Sequence, residues 1–241
     1  RLTRRLIPLA KDAGAKVACF FWENVHEPND TDSRLLERCD LLVFGNLEAA
    51  NLHLPAIKLT TWNDWVYLLL PQVGVDMEHF APRDLPRTEE VLYFGRPVPE
   101  KGIDYLKQAW PRATIAPWID WQKELPWVLS QAKVVVTPSC DTNVWREQAM
   151  PYAAVEAMAS GCAVVASDAG AIPWWHCKFA PTPSPAIIVP QRNVPALREG
   201  IAEALTHWQT LGLAGMQWVK DNLSSPVIAK RLVAALEGNA R

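Results

Sequence analysis

The stretch from Ser139 to Pro173, SCDTNVWREQAMPYAAVEAMASGCAVVASDAGAIP, constrains this chain more than any other. It follows KVVVTP, a run of strand character, and it reads as loop, helix, strand, loop. The helix is expected from about Pro151 to Ser160, because Ala, Met and Glu are good helix formers. Pro151 suits a first helical position, where the missing N–H costs nothing. Gly161 suits the C-terminal cap. Ala163 to Ala166 form an apolar, uncharged run, as a strand buried on both faces in a parallel sheet would. Two carboxylates, Glu147 and Glu156, therefore fall before and within a helix whose N-terminus faces the loop after a strand. Such a terminus attracts anions, because its free N–H groups and dipole point outward.

A second stretch, GRPVPEKG from Gly95 to Gly102, repeats that arrangement. Gly95 follows the strand-like VLYF and lets the backbone approach a ligand closely. Arg96 and Lys101 stand at the strand's end, just before a helical run, IDYLKQAW. Two cations there suit a diphosphate, Arg as a fork and Lys as a point charge.

VEAMASGCAVVASDAGAIP resembles the signature of the retaining glycosyltransferases of the GT-B fold, in the large family 4 group. That signature is EAMA, a small residue, Gly, then x-P-V-V-(A/G)-(S/T)-D-x-G-G-(I/V)-P, preceded by a Glu-x7-Glu pattern. GRPVPEKG resembles the family's G-R-x-x-x-x-K-G, and ELPWVLSQAKVVVTPS its LPxLLAxADVFVxPS. LPQVGVDMEHFAP is similar to the I-P-N-G-V-D-x-x-x-F-x-P element that joins the two domains, and CDLLVFGNLEAANL to a run late in the N-terminal domain. The resemblance covers residues 35 to 236, with gaps. Glu147 and Glu156 are separated by eight residues, where the family has seven. Glu147 fills the first position through a one-residue bulge, or Gln148 fills it at strict spacing. Ala149–Tyr152 replace the family's Phe-Gly, Asn46 its Ser and Gln72-Val73 its Asn. After Trp110 one β-α unit, which in the family helps enclose the nucleotide base, is missing or much shortened. Trp118 or Trp121 could stack on a base in its place, or serve in the core or rim.

The resemblance implies an α/β fold of GT-B type. Residues 1–84 would be the C-terminal part of an acceptor-side Rossmann-like domain, and 85–222 the nucleotide-sugar-binding domain. Residues 223–241 would be a helix packing back on the first domain. The implied activity is transfer of a sugar from a nucleotide-sugar with retention, in surface glycan or glycolipid synthesis. The alternative is a nucleotide-sugar-binding module without transferase activity. The implied catalytic residues are Glu147, Arg96 and Lys101. On the donor side stand Gly95, Arg96, Lys101, Ser139, Glu147, Gln148, Tyr152, Glu156, Ala169 and Gly170. Glu156 would bind ribose hydroxyls; the plainer alternative is a solvated carboxylate on a helix face. Glu23 and His26 are acceptor-side candidates. No cofactor or metal is expected. The partners implied are a nucleotide-sugar and a glycan, lipid or small-molecule acceptor, with the oligomeric state open.

The rest of the chain alternates strands and helices, which gives an α/β fold with parallel sheets. Residues 1–13 form an amphipathic helix with Leu2, Leu6 and Leu9 on one face and a basic opposite face, either solvated or touching anionic lipid. Strands are expected at 16–21, 40–44, 57–60, 91–94 and 186–189. Helices are expected near 33–39, 47–53, 194–209 and 212–222, and from Ser225 onward. TWNDWVYLL has no assigned element. WWHCKFAPTPSP is a loop, and its His176 is a solvated or cleft-facing residue. A formal net charge of −2 argues against a nucleic-acid binder. Neither G-x-G-x-x-G, G-x-x-x-x-G-K-S nor G-x-S-x-G occurs, which argues against dehydrogenase, P-loop and serine-hydrolase chemistry. The five cysteines are scattered without C-x-x-C spacing, so reduced thiols in a cytoplasmic setting are expected. No apolar run is long enough for a bilayer. The chain starts without Met, directly in a helix, as a piece of a longer protein would.

Overall fold

A computed structural model describes residues 9–21, 39–44, 67–69, 74–116, 119–120, 123–142, 151–173 and 185–237. Several expectations fall outside them: the first eight residues of the N-terminal helix, the helices near 33–39 and 47–53, and the 57–60 strand. Glu23, His26, Trp118, Trp121, Glu147, Gln148 and His176 also lie outside. The chain groups into two compact units, residues 1–71 with 228–241, and residues 72–227.

The first unit holds a parallel sheet of β1 (Ala18–Phe21), β2 (Leu41–Phe44) and β3 (Tyr67–Leu69), in that order. Ala18 pairs with Leu41 and Leu42 with Tyr67. All four residues of β2 are buried, as a central strand of uninterrupted apolar character requires. β3 arises from TWNDWVYLL, to which the sequence assigned no element. At the start of the sheet, Lys11 Nζ lies 2.8 Å from Asp40 Oδ1, and Asp40 Oδ2 accepts from Val17 N at 2.7 Å. Lys16 Nζ donates to the Leu236 carbonyl at 2.6 Å, within the same unit.

The second unit is a five-stranded parallel sheet, ordered β5-β4-β6-β7-β8. Its strands are β4 (Glu89–Phe94), β5 (Thr114–Ala116), β6 (Ala132–Thr137), β7 (Ala163–Ser167) and β8 (Ala186–Val189). Its helices are α1 (Ile103–Ala109), α2 (Leu125–Gln131), α3 (Tyr152–Ala159), α4 (Val194–Thr206) and α5 (Trp208–Asn222), while α6 (Ser225–Leu236) starts here and belongs from Ile228 onward to the first unit. Val91, Tyr93, Val134, Val136, Ala163 and Val165 form one buried face of the sheet, packed with Leu106 of α1 and Leu197, Ile201 and Ala204 of α4. Each buried Val, Leu or Ile among them stabilises the fold by about 1.5–3 kcal/mol.

Three local differences from the sequence reading have simple causes. Pro151 is the N-cap of α3, extended at φ −56, ψ 134, and helical geometry begins at Tyr152. The single helix expected from 194 to 209 breaks at His207, and α5 starts at Trp208 rather than near Gly212. Between Trp110 and α2 a short strand that the sequence reading did not assign, β5, pairs with β4 at the edge of the sheet. Among the described residues no further strand lies beyond it.

Gly161 ends α3 as expected, with φ +73. Its N–H donates to Met158 O at 2.9 Å and Cys162 N–H to Ala157 O at 2.9 Å. That pair of bonds defines a Schellman cap and turns the chain directly into β7. Arg87 rivets the same corner. Its Nη2 donates to Ser160 O at 2.7 Å and its Nη1 to Leu129 O at 3.2 Å and to Ala132 O. One guanidinium thereby satisfies carbonyls at the C-terminal ends of both α2 and α3, where a cation is favoured.

Candidate functional site

All five strands of the second unit are parallel, so their carboxyl ends share one edge. The chain leaves β4 through α1 to β5 on one side, whereas β6 flanks β4 on the other. The strand order reverses between β4 and β6, and in open α/β sheets ligands bind at such a switch point. The two motifs end up there: Gly95–Gly102 follows β4 and Pro138–Cys140 follows β6.

These two loops are locked together. Gly102 has φ +67, and a Cβ built there would lie 1.8 Å from the Pro138 carbonyl oxygen. No side chain fits. Cys140 N–H donates to Glu100 O at 2.8 Å. Gly95, at φ +144, lets the backbone turn beside the Tyr93 ring, and Tyr93 Oη donates to Arg96 O at 2.9 Å. Lys101 closes the 3-10 turn Pro99–Lys101 that leads into α1.

A cavity of about 590 Å³ opens within this unit. Gly95, Arg96, Tyr152 and Glu156 all line it, so the structure brings four of the sequence-derived candidates together. Arg96 is exposed, which leaves its guanidinium available to a ligand. Glu156 is only 5% exposed, which rules out a solvated helix-face carboxylate. It sits one turn after Tyr152 on the same helix face. Tyr152 is 52% exposed, and burial of its ring together with the Glu156 carboxylate pushes its hydroxyl up from the ordinary tyrosine range. Phe94, Ala116, Ile119 and Leu125 supply an apolar wall. Asp76 adds a second carboxylate to the lining, with its Oδ1 held by Glu78 N at 2.9 Å and His79 N at 3.0 Å. α3 begins at the cavity, which Tyr152 and Ala153 of its first turn line, and its N-cap Pro151 makes no side-chain bond to the first N–H groups.

Lys101, Ser139, Ala169 and Gly170 do not line this cavity. Ser139 is buried in the loop after β6, where its carbonyl accepts from Ser167 Oγ. Ala169 and Gly170 follow β7 on the same edge of the sheet. Gly170 N–H donates to Asp141 Oδ2 at 3.2 Å. Asp141 is in turn bound by Gln191, whose Nε2 donates to Asp141 Oδ2 at 3.1 Å and whose Oε1 accepts Asp141 N–H at 2.7 Å. Gln191 N–H also donates to Asp168 Oδ1 at 2.7 Å. The loops after β6, β7 and β8 are thus held to one another. Nothing local in the sequence signals this, since Asp141 and Gln191 stand far apart along the chain. Asp76 was legible as part of GVDMEHF, but not as a cavity residue.

Residues 113–207 match the family model described as glycosyl transferases group 1. No curated protein matches the sequence. Among solved structures, the sucrose-phosphate synthase of Thermosynechococcus elongatus is similar over 86% of this chain, at 21% identity and a TM-score of 0.63. This chain spans 60% of the length of that one. HepE of Anabaena, solved in complex with UDP, is similar over 98% of this chain and 76% of its own, at 12% identity and a TM-score of 0.68. A glycosyltransferase from Rickettsia africae is similar over 98% of this chain and 80% of its own, at 12% identity and a TM-score of 0.71. With its two parallel sheets and these neighbours, the chain has the α/β fold of the GT-B glycosyltransferases.

Proposed function

We propose that the chain is the donor-binding part of a retaining glycosyltransferase of the family 4 type, which moves a sugar from a nucleotide-sugar to an acceptor. The observation that carries this reading is the convergence of Gly95, Arg96, Tyr152, Glu156 and the uncapped start of α3 on one cavity at the switch point. The group 1 match over residues 113–207 supports it. Glycosyl transfer passes through a cationic, oxocarbenium-like sugar while the diphosphate departs with growing negative charge. Arg96, Lys101 and the α3 N-terminus are the groups that would stabilise that charge, and these cations would do so without a resident metal. Glu156, buried beside them, accepts hydrogen bonds from ribose hydroxyls. Glu147, which lies outside the described residues, takes the donor-sugar hydroxyls, or Gln148 does. Ser139, Ala169 and Gly170 offer backbone groups on the donor-sugar side, and Glu23 and His26 the acceptor side. The acceptor is a glycan, lipid or small molecule of surface glycan or glycolipid synthesis, handled on the cytoplasmic side.

A binding module without turnover is the second reading, favoured by the Glu147–Glu156 spacing and by the sheet ending at β5. Calorimetric titration with UDP, GDP and ADP tests the donor site. UDP comes first, because HepE has been solved with UDP and with UDP-glucose. One nucleotide should bind and be lost in both Lys101→Ala and Glu156→Ala. Binding left intact in both variants would sink the assignment. Sugar transfer with retained anomeric configuration, followed by NMR, then separates enzyme from module.

A further inference from the structure

Among the described residues that line the cavity, Arg96 is the one cation, so its aim matters for any anion held there. Arg96 is exposed, and among the described residues nothing bonds its guanidinium. Its direction is therefore set by its backbone. The residue before it is Gly95 at φ +144, a conformation that glycine enters and leaves at little cost. Gly95 is thus a pivot at the end of β4. The Arg96 carbonyl stops that pivot, accepting from Tyr93 Oη at 2.9 Å and from Val98 N–H at 3.0 Å. Val98 belongs to the same loop and moves with it, so Tyr93 is what ties the Arg96 end of the loop to the sheet. The far end is tied at Glu100, whose carbonyl accepts from Cys140 N–H. Tyr93 is itself fixed, 3% exposed in the core with Val91, Val134 and Leu106. Its hydroxyl passes beside residue 95, where a Cβ would lie 3.1 Å from it.

From this geometry we infer that Tyr93 is a positioning residue of the donor site. Its hydroxyl holds the Arg96 backbone so that the guanidinium is already aimed when a nucleoside diphosphate arrives. The inference rests on the reading of Arg96 as a ligand of the diphosphate. A guanidinium binds phosphate as a fork, so it needs direction as well as charge. A side chain that must be ordered on binding gives back part of what it gains, and one fixed beforehand does not. Tyr93 acts only through Arg96, since it does not line the cavity. For packing alone a phenylalanine would serve at this position. What the tyrosine adds is the bond to the Arg96 carbonyl, and without it that carbonyl keeps only a partner from its own loop. Gly95 takes a second role in the same device, because it leaves the hydroxyl a clear path along the strand end.

The test is calorimetric titration of the wild-type chain, Tyr93→Phe, Arg96→Ala and the double variant with UDP, GDP and ADP. Tyr93→Phe should weaken the nucleotide that binds by roughly 3- to 10-fold, the size of one hydrogen bond. It should add no loss in the Arg96→Ala background, because the two residues act as one unit. A merely structural role would not give that pattern, since a loosened fold weakens both backgrounds by the same factor. Unchanged affinity in Tyr93→Phe, or an equal loss with and without Arg96, overturns the inference and leaves the donor site standing. Wild-type affinity in Arg96→Ala, or no nucleotide bound by the wild-type chain, overturns the donor reading of Arg96 and this inference with it. Tyr93→Phe removes one oxygen and keeps the ring in the core, so the variant should fold, and its urea midpoint reports that separately.

Discussion

Replacing Gly102 by Ala tests the central packing claim about the loops after β4 and β6. Two costs add. A non-glycine residue at φ +67 takes the left-handed region, at about 1–2 kcal/mol. The new methyl would also sit 1.8 Å from the Pro138 carbonyl oxygen, a backbone atom that cannot swing aside. Comfortable C···O contacts begin near ~3.3 Å. The loops after β4 and β6 must therefore part by more than an ångström, and overpacking of that kind costs about 1–3 kcal/mol. Parting them also stretches the Cys140 N–H to Glu100 O bond, worth about 1 kcal/mol. The expected destabilisation is about 3–6 kcal/mol, seen in urea titration as a lower midpoint with an unchanged slope. Gly161→Ala is the matched control in the same unit. Its φ is +73, but the nearest atom to a new Cβ is Arg87 Nη2 at 3.1 Å, the far end of a flexible side chain. It should cost about 1–2 kcal/mol, the backbone strain alone. Equal losses in the two variants would refute the claim that the two motif loops are wedged together, and would leave only the glycine conformation as the reason for Gly102.

Arg87→Ala should lower stability by about 3 kcal/mol or more, because one charged side chain serves carbonyls at two helix ends. Arg87→Lys should recover less than half of that, since an ammonium cannot reach several carbonyls as a fork; urea midpoints decide both. Burial pushes the Cys162 thiol up to about 11, against the nearby Arg87 that lowers it. The unfolded thiol ionises near 9.0, so stability is fully present below that pH and falls between about 9 and 11. The loss is about 3 kcal/mol at about 1.4 per pH unit; Cys162→Ala should remove this alkaline decline from thermal melts taken across that range. Asp40 shows the opposite limb. Its partial burial raises the carboxyl, but Lys11 and the Val17 N–H outweigh this and hold it below 3.8. Its contribution is present above that pH and lost as pH falls through the depressed value, so Lys11→Met should flatten the acid limb of the first unit. Glu156→Ala should weaken nucleotide binding by roughly 10- to 100-fold, the size of hydrogen bonds to a charged group, with calorimetry as the readout.

Elements whose signal is local were legible from residues alone. β4, β6, β7 and β8 each carry a short apolar stretch, VLYF, VVV, AVVA and AIIV, and most of those residues are buried, so they read as strands of a parallel sheet. Gly161 marked the end of α3 because only a left-handed residue makes its cap. β3 and β5, each three residues long, carried too little periodicity to be seen. They exist because they add to the edge of a sheet already built. Pro151 was displaced by one position, since a proline's fixed φ suits both the N-cap and the first helical turn.

The sequence by itself determined β4, β6, β7, β8 and α3 within a few residues, and the two glycine-marked motifs. Tertiary structure alone decided the burial of Glu156, the cavity it shares with Arg96 and Asp76, and the wedge of Gly102 under Pro138. It also decided the Asp141–Gln191 link. The physical reason is range. Propensities, caps and apolar runs act over a few residues and leave their mark in the local sequence. Burial, a shared cavity and long-range hydrogen bonds depend on which strands become neighbours, and that is settled only when the sheet closes over its core.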